Sequence, residues 1–345
     1  MAKLSVLDLA PIVQGGDAAA AFRNALDLAR HAERLGYNRF WMAEHHSMPG
    51  VASAATAVAL AHIGSGTSTI RIGAGGIMLP NHAPLVIAEQ FGTLESLFPG
   101  RVDLGLGRAP GTDMAAARAL RRHLSSDADR FPQDVVALID YFGPAAPGRQ
   151  VRAIPGEGLE VPIWILGSSL FGAQLAAMLG LPYAFASHFA PQQMMDAIGL
   201  YRATFRRSER LARPYVMLGF NAFAADSDEE GAYLATSMQQ AFVNLRSGNP
   251  QPLQPPVRSC REQLPAPQRA MLDTLLTCSA TGSPATVRAS LEDFLGRTGA
   301  DELMITSQIF DHQARLRSFQ IVAEAASQLE QAGSSSFVFE TGEQA

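Results

Sequence analysis

Short apolar runs alternate along the chain with longer segments in which apolar residues recur at a helical period. From Ala18 to Leu35 the apolar positions fall on one helical face, and Gly36 follows as a typical helix end. This alternation is typical of βα units around a parallel sheet. We expect strands at 4–9, 69–79, 101–107, 161–167, 183–187, 214–224 and 302–307, and a strand with its exit loop at 39–46.

Helices are expected between these strands. Their ranges are 18–35, 53–63, 84–98, 113–142 with a break near Phe131-Pro132, 171–180, 191–209 and 313–331. Eight strands with intervening helices favour a closed (β/α)8 barrel, the TIM barrel of the α/β class. An open doubly wound sheet is the alternative, because one sequence does not prove a topology.

Two segments fall outside the repeat. Residues 226–283 follow the seventh strand, and they are too long for an ordinary loop. A helix is expected within them at 229–245. Because they leave the carboxyl end of a strand, we expect this insertion on the catalytic face, as either a lid or a decoration. Residues 1–332 are expected to form a single domain, and residues 333–345 a disordered or peripheral tail.

The composition narrows the class of protein. The chain has 345 residues, of which 47% are hydrophobic and 17% charged, with a formal net charge of −5 and no basic patch. We therefore expect no nucleic acid partner. Cys260 and Cys278 are too few for a disulfide framework or a zinc site. No signal peptide or membrane-spanning stretch is recognisable, so we expect a cytoplasmic protein without a membrane partner.

A phosphate site is indicated after the fifth strand. Gly167, Ser168 and Ser169 lead directly into a helix that starts near Leu170 and Phe171. Small residues let the backbone fold closely around an anion, and the free amides and positive end of the helix dipole attract it. The alternative is that serine serves here as an ordinary N-cap.

Arg108 directly follows the fourth strand, where its planar guanidinium could reach the same phosphate. A salt bridge to Asp113 is the alternative. Gly105 and Gly107 do not form a dinucleotide fingerprint, because the next glycine of that motif would fall on Pro110.

Glu44, His45 and His46 come where the second strand meets its loop. Consecutive side chains on an extended segment point to opposite sides, so the two histidines are not expected to ligate one metal, and no metal site is predicted. Acid–base chemistry or hydrogen bonding to a reacting group is the functional hypothesis for His45. A pair of hydrogen-bonded structural histidines is the alternative.

Gly75-Gly76 interrupts the third strand, and glycine inside a strand needs a reason. Close approach of a flat ligand or an unusual peptide geometry would be such a reason, and a simple bulge is the alternative. Four further polar residues lie near strand ends, where their side chains could reach the rim of the pocket: Asp8, Asn81, His82 and His188. Asp8 could instead cap a loop.

Together these segments resemble the bacterial luciferase-like flavin monooxygenases over nearly the whole chain. The most specific parts are RFWMAEHH at 39–46, the segment 73–113, LGSSLFGAQLAAMLGLPYAFASHFAP at 166–191 and GADELMI at 299–305. No single motif decides the resemblance, but the order and spacing of these motifs carry it.

The resemblance implies that reduced FMN, supplied by a separate flavin reductase, reacts with oxygen to oxidise a small organic substrate, and that the protein is a homodimer. It implies catalytic roles for His45 and Glu44. It places Gly75-Gly76 beside the isoalloxazine, where luciferases have a non-proline cis peptide. Arg108 and Gly167–Phe171 match the phosphate cradle. Gly107 stands where the luciferases have a reactive cysteine, which argues against light emission but leaves monooxygenation open.

Three functions stay open on the sequence alone. A two-component monooxygenase is favoured by the ordered motifs. A deazaflavin-dependent hydride-transfer enzyme is the second, since related barrels bind that cofactor. A non-catalytic flavin-binding protein is the third. The sequence does not name the substrate.

Overall fold

The computed structural model describes residues 2–109, 116, 119–120, 130–145 and 148–336. Nine parallel strands lie in one sheet, and the closed barrel predicted from the alternation is confirmed. The strands are β1 (Lys3–Asp8), β2 (Arg39–Met42), β3 (Arg71–Met78), β4 (Val102–Gly107), β5 (Ile163–Gly167), β6 (Tyr183–Phe185), β7 (Val216–Ala224), β8 (Ser279–Gly282) and β9 (Glu302–Thr306).

Eight of these strands close the barrel. Each strand from β1 to β6 pairs with the next, β6 pairs with β7, and β9 lies between β7 and β1. All these pairings are parallel, so the carboxyl ends of the strands meet at one rim. Any ligand site of the fold is expected at that rim.

The insertion at 226–283 contains a strand, β8, that the sequence did not indicate. This strand pairs with residues 221–224 of β7. Asn221 pairs with Ser279 of β8 and also with Thr306 of β9, so β8 occupies the edge of β7 opposite to β9. The four residues of β8 are Ser-Ala-Thr-Gly, which carry neither an apolar run nor an alternation that would reveal a strand.

The predicted helices appear in the expected order with shifted ends. The helices are α1 (Ala18–Arg34), α2 (Thr56–Ser65), α3 (Pro84–Leu97), α4 (Phe131–Phe142), α5 (Leu170–Leu179), α6 (Met194–Thr204), α7 (Asp228–Arg246), α8 (Ala266–Leu275), α9 (Pro284–Thr298) and α10 (His312–Ser336). Of these, α8 and α9 lie outside the ranges expected above. Of the helices in the described parts of the chain, none combines the length and hydropathy needed to cross a bilayer.

Two predicted helix boundaries need correction. Helix α2 begins at Thr56 rather than residue 53, because the Ser53 hydroxyl donates to the carbonyls of Leu9 and Ala43 and holds the preceding segment as a loop. Helix α10 continues to Ser336, so residues 333–336 of the predicted tail are helical. Residues 337–345 and most of 113–129 lie outside the described residues.

Apolar side chains fill two layers. One large cluster packs between the sheet and the outer helices, and a smaller one fills the barrel interior with Leu7, Trp41, Ala43, Trp164, Ala184, Met217 and Met304. The rings of Trp41 and Trp164 meet edge to face with centroids 5.3 Å apart, a favoured aromatic geometry. The interior is therefore packed below the rim, and ligands are confined to the mouth.

The insertion is folded against the barrel. Its helices α7 and α8 share a third apolar cluster with Phe223 of β7, and the Ser227 hydroxyl caps α7 by accepting from the amide of Glu230. Leu253, in the stretch between these helices, accepts a backbone hydrogen bond of 2.8 Å from Gln14 of the loop after β1. The insertion thus covers part of the rim between β1 and β7.

Candidate active site

The alternation of side chains along the strands decides which residues face the mouth. Trp41 and Ala43 point into the barrel, so His45 takes the next inward position on the exit of β2. His188 lies in the turn after β6, and its ring packs on Gly219 of β7, two residues beyond the inward-pointing Met217. The side chains of His45 and His188 therefore both belong to the mouth, on strands that lie opposite each other in the barrel.

The Nδ1 atoms of His45 and His188 are both buried, and neither has a hydrogen-bond partner among the residues that the structure describes. Burial lowers the pKa of His45 below its ordinary value. For His188, burial and the nearby imidazole of His45 lower the pKa from 6.5 to about 4. Both rings are therefore neutral at pH 7.

Gly219 on β7 fixes where the His188 ring can lie. A Cβ added to Gly219 would fall 1.9 Å from Nδ1 of His188, so the ring packs directly on the backbone of β7. The side-chain amide of Asn221 donates to the His188 carbonyl at 2.8 Å, and the Ser187 hydroxyl donates to the Gly219 carbonyl at 2.6 Å. These contacts hold the imidazole at the rim before any ligand arrives.

Glu44 points away from His45 and connects the exits of β2 and β3. Its Oε1 accepts hydrogen bonds from Nε2 of His46 at 2.6 Å and Nε2 of His82 at 2.8 Å, and its Oε2 accepts from the Met78 amide at 3.0 Å. Burial alone would raise the pKa of Glu44, but these three hydrogen bonds outweigh it and lower the pKa below its usual range. Glu44 is therefore a buried carboxylate that fixes the loop after β3.

A metal ion is the other ligand that this cluster suggests, because its side chains are of metal-binding types and their ligating atoms lie within 4.8 Å of one another. The cluster consists of Glu44, His46 and His82. The two imidazole nitrogens approach the same carboxylate oxygen at 2.6 and 2.8 Å. These are ordinary distances for charge-assisted hydrogen bonds, so the hydrogen bonds account for the arrangement. The opposite directions predicted for His45 and His46 agree with this geometry.

The peptide bond between Gly75 and Gly76 is cis, the geometry that the resemblance implied at this position. The register between β3 and β4 also shifts between Ala74 and Ile77, so the bulge is present as well. A Cβ on Gly75 would lie 2.9 Å from Cδ1 of Leu7, and one on Gly76 would lie 2.7 Å from the Gly105 carbonyl oxygen. The barrel backbone therefore requires glycine at position 76 whether or not a ligand approaches, while the contact at Gly75 is with the flexible end of Leu7.

The predicted phosphate turn, residues 168–169, leads directly from β5 into α5. Helix α5 starts at Leu170, and Ser169 precedes it in extended conformation without a side-chain capping hydrogen bond. The alternative of an ordinary serine N-cap therefore does not describe Ser169. Ser168 is exposed, Phe171 is partly buried, and the Ser169 carbonyl accepts from the Tyr183 hydroxyl at 3.2 Å. The hydroxyls and the first helical amides remain available to an anion.

Arg108 lies beside this turn. Its guanidinium carbon is 4.2 Å from the centroid of the Phe171 ring, and the side chain is otherwise exposed. Stacking on an aromatic face leaves the in-plane N–H donors free for an oxyanion. The structure thus brings together the exits of β4 and β5 as predicted, while Asp113, the alternative partner of Arg108, lies outside the described residues.

Asp8 does not face the mouth. Leu7 occupies the inward position on β1, and Asp8 points outward to accept from Nη2 of Arg315 at 2.5 Å and from the Ala10 amide at 3.1 Å. Asp8 therefore caps a loop, which was one of its two predicted roles. Its carboxylate also forms an ion pair with Arg315 of α10. Asn81 is buried in the short 3-10 turn after β3.

The sequence reasoning missed two parts of the site. Trp41 and Trp164 form the floor of the mouth, and Gly219 receives the His188 ring. Glycine in the middle of β7 was a usable signal for the second, because glycine inside a strand often marks a close approach. Nothing in the local sequence of either tryptophan distinguished a floor from a general core position.

Comparison with known proteins agrees with this architecture. The family model of luciferase-like monooxygenases matches residues 3–302. A protein of Escherichia coli (strain K12) named luciferase-like monooxygenase is 52% identical over 325 residues, which cover 94% of this chain and 97% of that protein. The crystal structure of apo-MsnO8 has a TM-score of 0.88 at 34% identity, covering 95% of this chain and 99% of that one. The chain therefore belongs to the luciferase-like monooxygenase family.

A more distant structure shares the fold. The oxygenating constituent of 3,6-diketocamphane monooxygenase from Pseudomonas putida, a type II Baeyer–Villiger monooxygenase in complex with FMN, has a TM-score of 0.71 at 16% identity. The match covers 95% of this chain and 99% of that chain. At this identity the likeness shows the fold alone.

Proposed function

We propose that the protein is the oxygenase of a two-component system, which takes reduced FMN from a separate reductase and uses O2 to oxidise a small organic substrate. The observation that carries the proposal is the meeting of Arg108 with the turn before α5, next to a mouth lined by neutral histidines. Family membership supports the monooxygenase part of the proposal.

The residues fit a flavin mononucleotide. Arg108, the Ser168 and Ser169 hydroxyls and the amides of Leu170 and Phe171 would hold the phosphate. Residues 75–76 and His45 would border the ring system in the mouth. Bound reduced FMN would supply the electrons with which O2 is activated, and the chain would supply placement.

The chain's own groups have separate tasks. His45, a neutral imidazole at the exit of β2, would hydrogen-bond the reacting group or hold a proton there. Glu44 acts as a positioning residue, because its carboxylate is used by His46, His82 and the Met78 amide. The tryptophan floor keeps water from entering the mouth from below.

The insertion 226–283 would act as a lid in this proposal. Phe242 of α7 lies edge-on to Phe189, the residue after His188, with centroids 5.7 Å apart. Arg246 stacks over both rings, at 5.0 and 5.1 Å. The carboxyl end of α7 therefore reaches the rim beside the histidines, where its movement would open or close the mouth.

Two partners belong to the same proposal. The reductase would bind transiently, to hand over reduced flavin. A second copy of the chain would form a homodimer through neighbouring helices α2 and α3, which expose Val58, Val86 and Leu97. Light scattering of the purified protein should give twice the mass of 36.8 kDa, and a monomer at micromolar concentration would contradict the homodimer.

An anaerobic titration tests the cofactor. Reduced FMN should bind at micromolar concentration, and Arg108→Ala should weaken FMN about 10- to 100-fold, the usual value of a charge-assisted hydrogen bond, while riboflavin binding stays unchanged. Arg207→Ala, which removes an exposed arginine elsewhere, is the matched control. An equal loss for FMN and riboflavin would remove Arg108 from the phosphate site.

The same binding and oxygen-uptake experiments distinguish the two alternative functions. Tighter binding of a deazaflavin than of FMN would overturn the choice of cofactor. Stable FMN binding without substrate-dependent oxygen uptake, across a panel of small organic sulfur compounds and ketones, would indicate a non-catalytic flavin-binding protein. If His45→Ala leaves oxygen uptake and product formation unchanged, His45 has no part in the mechanism.

A further inference from the structure

We propose that Glu44, His46 and His82 bind one divalent transition-metal ion at the rim of the barrel, through Oε1 of the carboxylate and Nε2 of each imidazole. Zinc is the probe for this site, since two imidazoles and one carboxylate are a common set of zinc ligands. Neither flavin nor substrate takes part in the site, so its test is independent of the proposed function.

Two neighbouring loops supply the three side chains. Glu44 and His46 lie two residues apart on the exit of β2, and the hydrogen bond between them shows that both point to the same side. His82 follows the 3-10 turn 79–81 on the exit of β3, the strand that pairs with β2. The alternation that excludes a metal shared by His45 and His46 therefore brings His46 to the side of Glu44, where His82 reaches the same carboxylate.

The three ligating atoms already lie within reach of one ion. Nε2 of His46 and Nε2 of His82 lie 2.6 and 2.8 Å from Oε1 of Glu44, and all three atoms lie within 4.8 Å of one another. Zinc bonds of about 2.0–2.1 Å place neighbouring ligand atoms of a tetrahedral site about 3.3–3.5 Å apart. Each nitrogen would therefore withdraw from the carboxylate oxygen by less than about 1 Å when an ion replaces the hydrogen bonds.

The cluster is open to solvent on one side and anchored on the other. The side chains of His46 and His82 are 16% and 26% exposed, so a hydrated ion can approach them, whereas that of Glu44 is 1% exposed. The Met78 amide donates to Oε2 of Glu44 at 3.0 Å and so fixes the direction of Oε1. A hydrogen bond that orients a ligating carboxylate in this way is the usual support of a metal site.

The hydrogen bonds and the metal bonds use the same atoms in different tautomers of the imidazoles. Without an ion each Nε2 carries a hydrogen and donates it to Glu44, and these bonds account for the cluster. With an ion each neutral ring would carry its hydrogen on Nδ1 and present the lone pair of Nε2. Three protein ligands leave a fourth position for water on the exposed side. Because the cluster points away from His45, the ion would join the loops after β2 and β3 without entering the mouth.

Calorimetric titration of the untagged, chelator-treated protein with zinc chloride tests the site. The wild type should bind one zinc ion per chain, with a dissociation constant of about 1 µM or below. His46→Gln and His82→Gln each keep an N–H donor for Glu44 but remove a nitrogen ligand, so each should weaken zinc binding about 100-fold or more. His62→Ala, which removes an exposed histidine of α2, is the control and should bind zinc as the wild type does.

X-ray absorption of the zinc-loaded wild type gives a readout that decides the matter even if a glutamine variant does not fold. The spectrum should show two imidazole nitrogens with oxygen as the only other ligand type, at about 2.0–2.2 Å. It should show no sulfur at about 2.3 Å, the distance expected for a thiolate of Cys260 or Cys278. Less than one bound zinc per chain at about 100 µM free zinc, fewer than two imidazole ligands, or full affinity in a folded His82→Gln would overturn the inference.

Discussion

Lowering the pH from 7 to 5 should destabilise the folded protein through His188. Burial, and next the neighbouring His45, lower the pKa of His188 from 6.5 to about 4. The unfolded chain takes up a proton as the pH falls through 6.5, while the folded protein does not do so until about pH 4. The contribution of His188 to the free energy of unfolding is therefore intact above pH 6.5 and is lost between pH 6.5 and 4.

The size of the effect follows from the two pKa values. Each pKa unit corresponds to about 1.4 kcal/mol, so the full shift is equivalent to about 3 kcal/mol. At pH 5 the unfolded histidine is almost fully protonated and the folded one almost fully neutral, which makes the loss relative to pH 7 about 2 kcal/mol. Such a loss is a substantial part of the stability of a typical domain.

Urea unfolding of the FMN-free protein at pH 7, 6 and 5 measures the loss. His188→Asn cannot titrate in this range, so its stability should fall by about 2 kcal/mol less than that of the wild type. Other groups with shifted pKa values, such as His45 and Glu33, contribute to both proteins and largely cancel in the difference. Parallel pH profiles for wild type and variant would refute the assignment of a depressed pKa to His188.

Three further substitutions test other parts of the structure. Glu44→Gln removes the carboxylate that accepts three hydrogen bonds, so urea unfolding should show a loss of about 2 kcal/mol, and an unchanged midpoint would contradict its positioning role. Gly219→Ala places a methyl group 1.9 Å from Nδ1 of His188, so it should displace the ring and shift its NMR signals, whereas native signals would show that the ring is not held there. Arg315→Met leaves Asp8 buried without its ion partner and should cost about 3–5 kcal/mol in thermal or urea unfolding, unlike Arg207→Ala, which should cost almost nothing.

The barrel could be predicted from the sequence because the alternation of strand and helix patterns recurs along the chain. Each strand of the closed barrel carries a short apolar run, and each intervening helix that the structure describes adds its own periodicity. Strand β8 was missed for the opposite reason, since Ser279–Gly282 is short and consists of small residues. It becomes a strand because β6 ends early and leaves an edge of β7 unpaired, a circumstance that the local sequence does not record.

The local sequence at a strand end predicts the direction in which a side chain points. It does not predict which residue that side chain contacts. Alternation separates His45 from His46, and the same rule turns Asp8 away from the mouth once Leu7 is known to point inward. The contacts of Asp8 with Arg315, and of Glu44 with His82, join residues 307 and 38 positions apart, so they depend on the closed barrel.

His188 shows how these two kinds of information combine. Its position at the end of β6 was visible in the sequence, as was the glycine in the middle of β7, but neither alone indicates a function. In the barrel the His188 ring packs on Gly219. This contact places a neutral imidazole with a buried nitrogen at the mouth, on the side opposite His45. That nitrogen faces the backbone of β7, so packing within the protein explains both the glycine and the burial of the ring. At Gly76 the carbonyl of Gly105 likewise leaves no room for a Cβ.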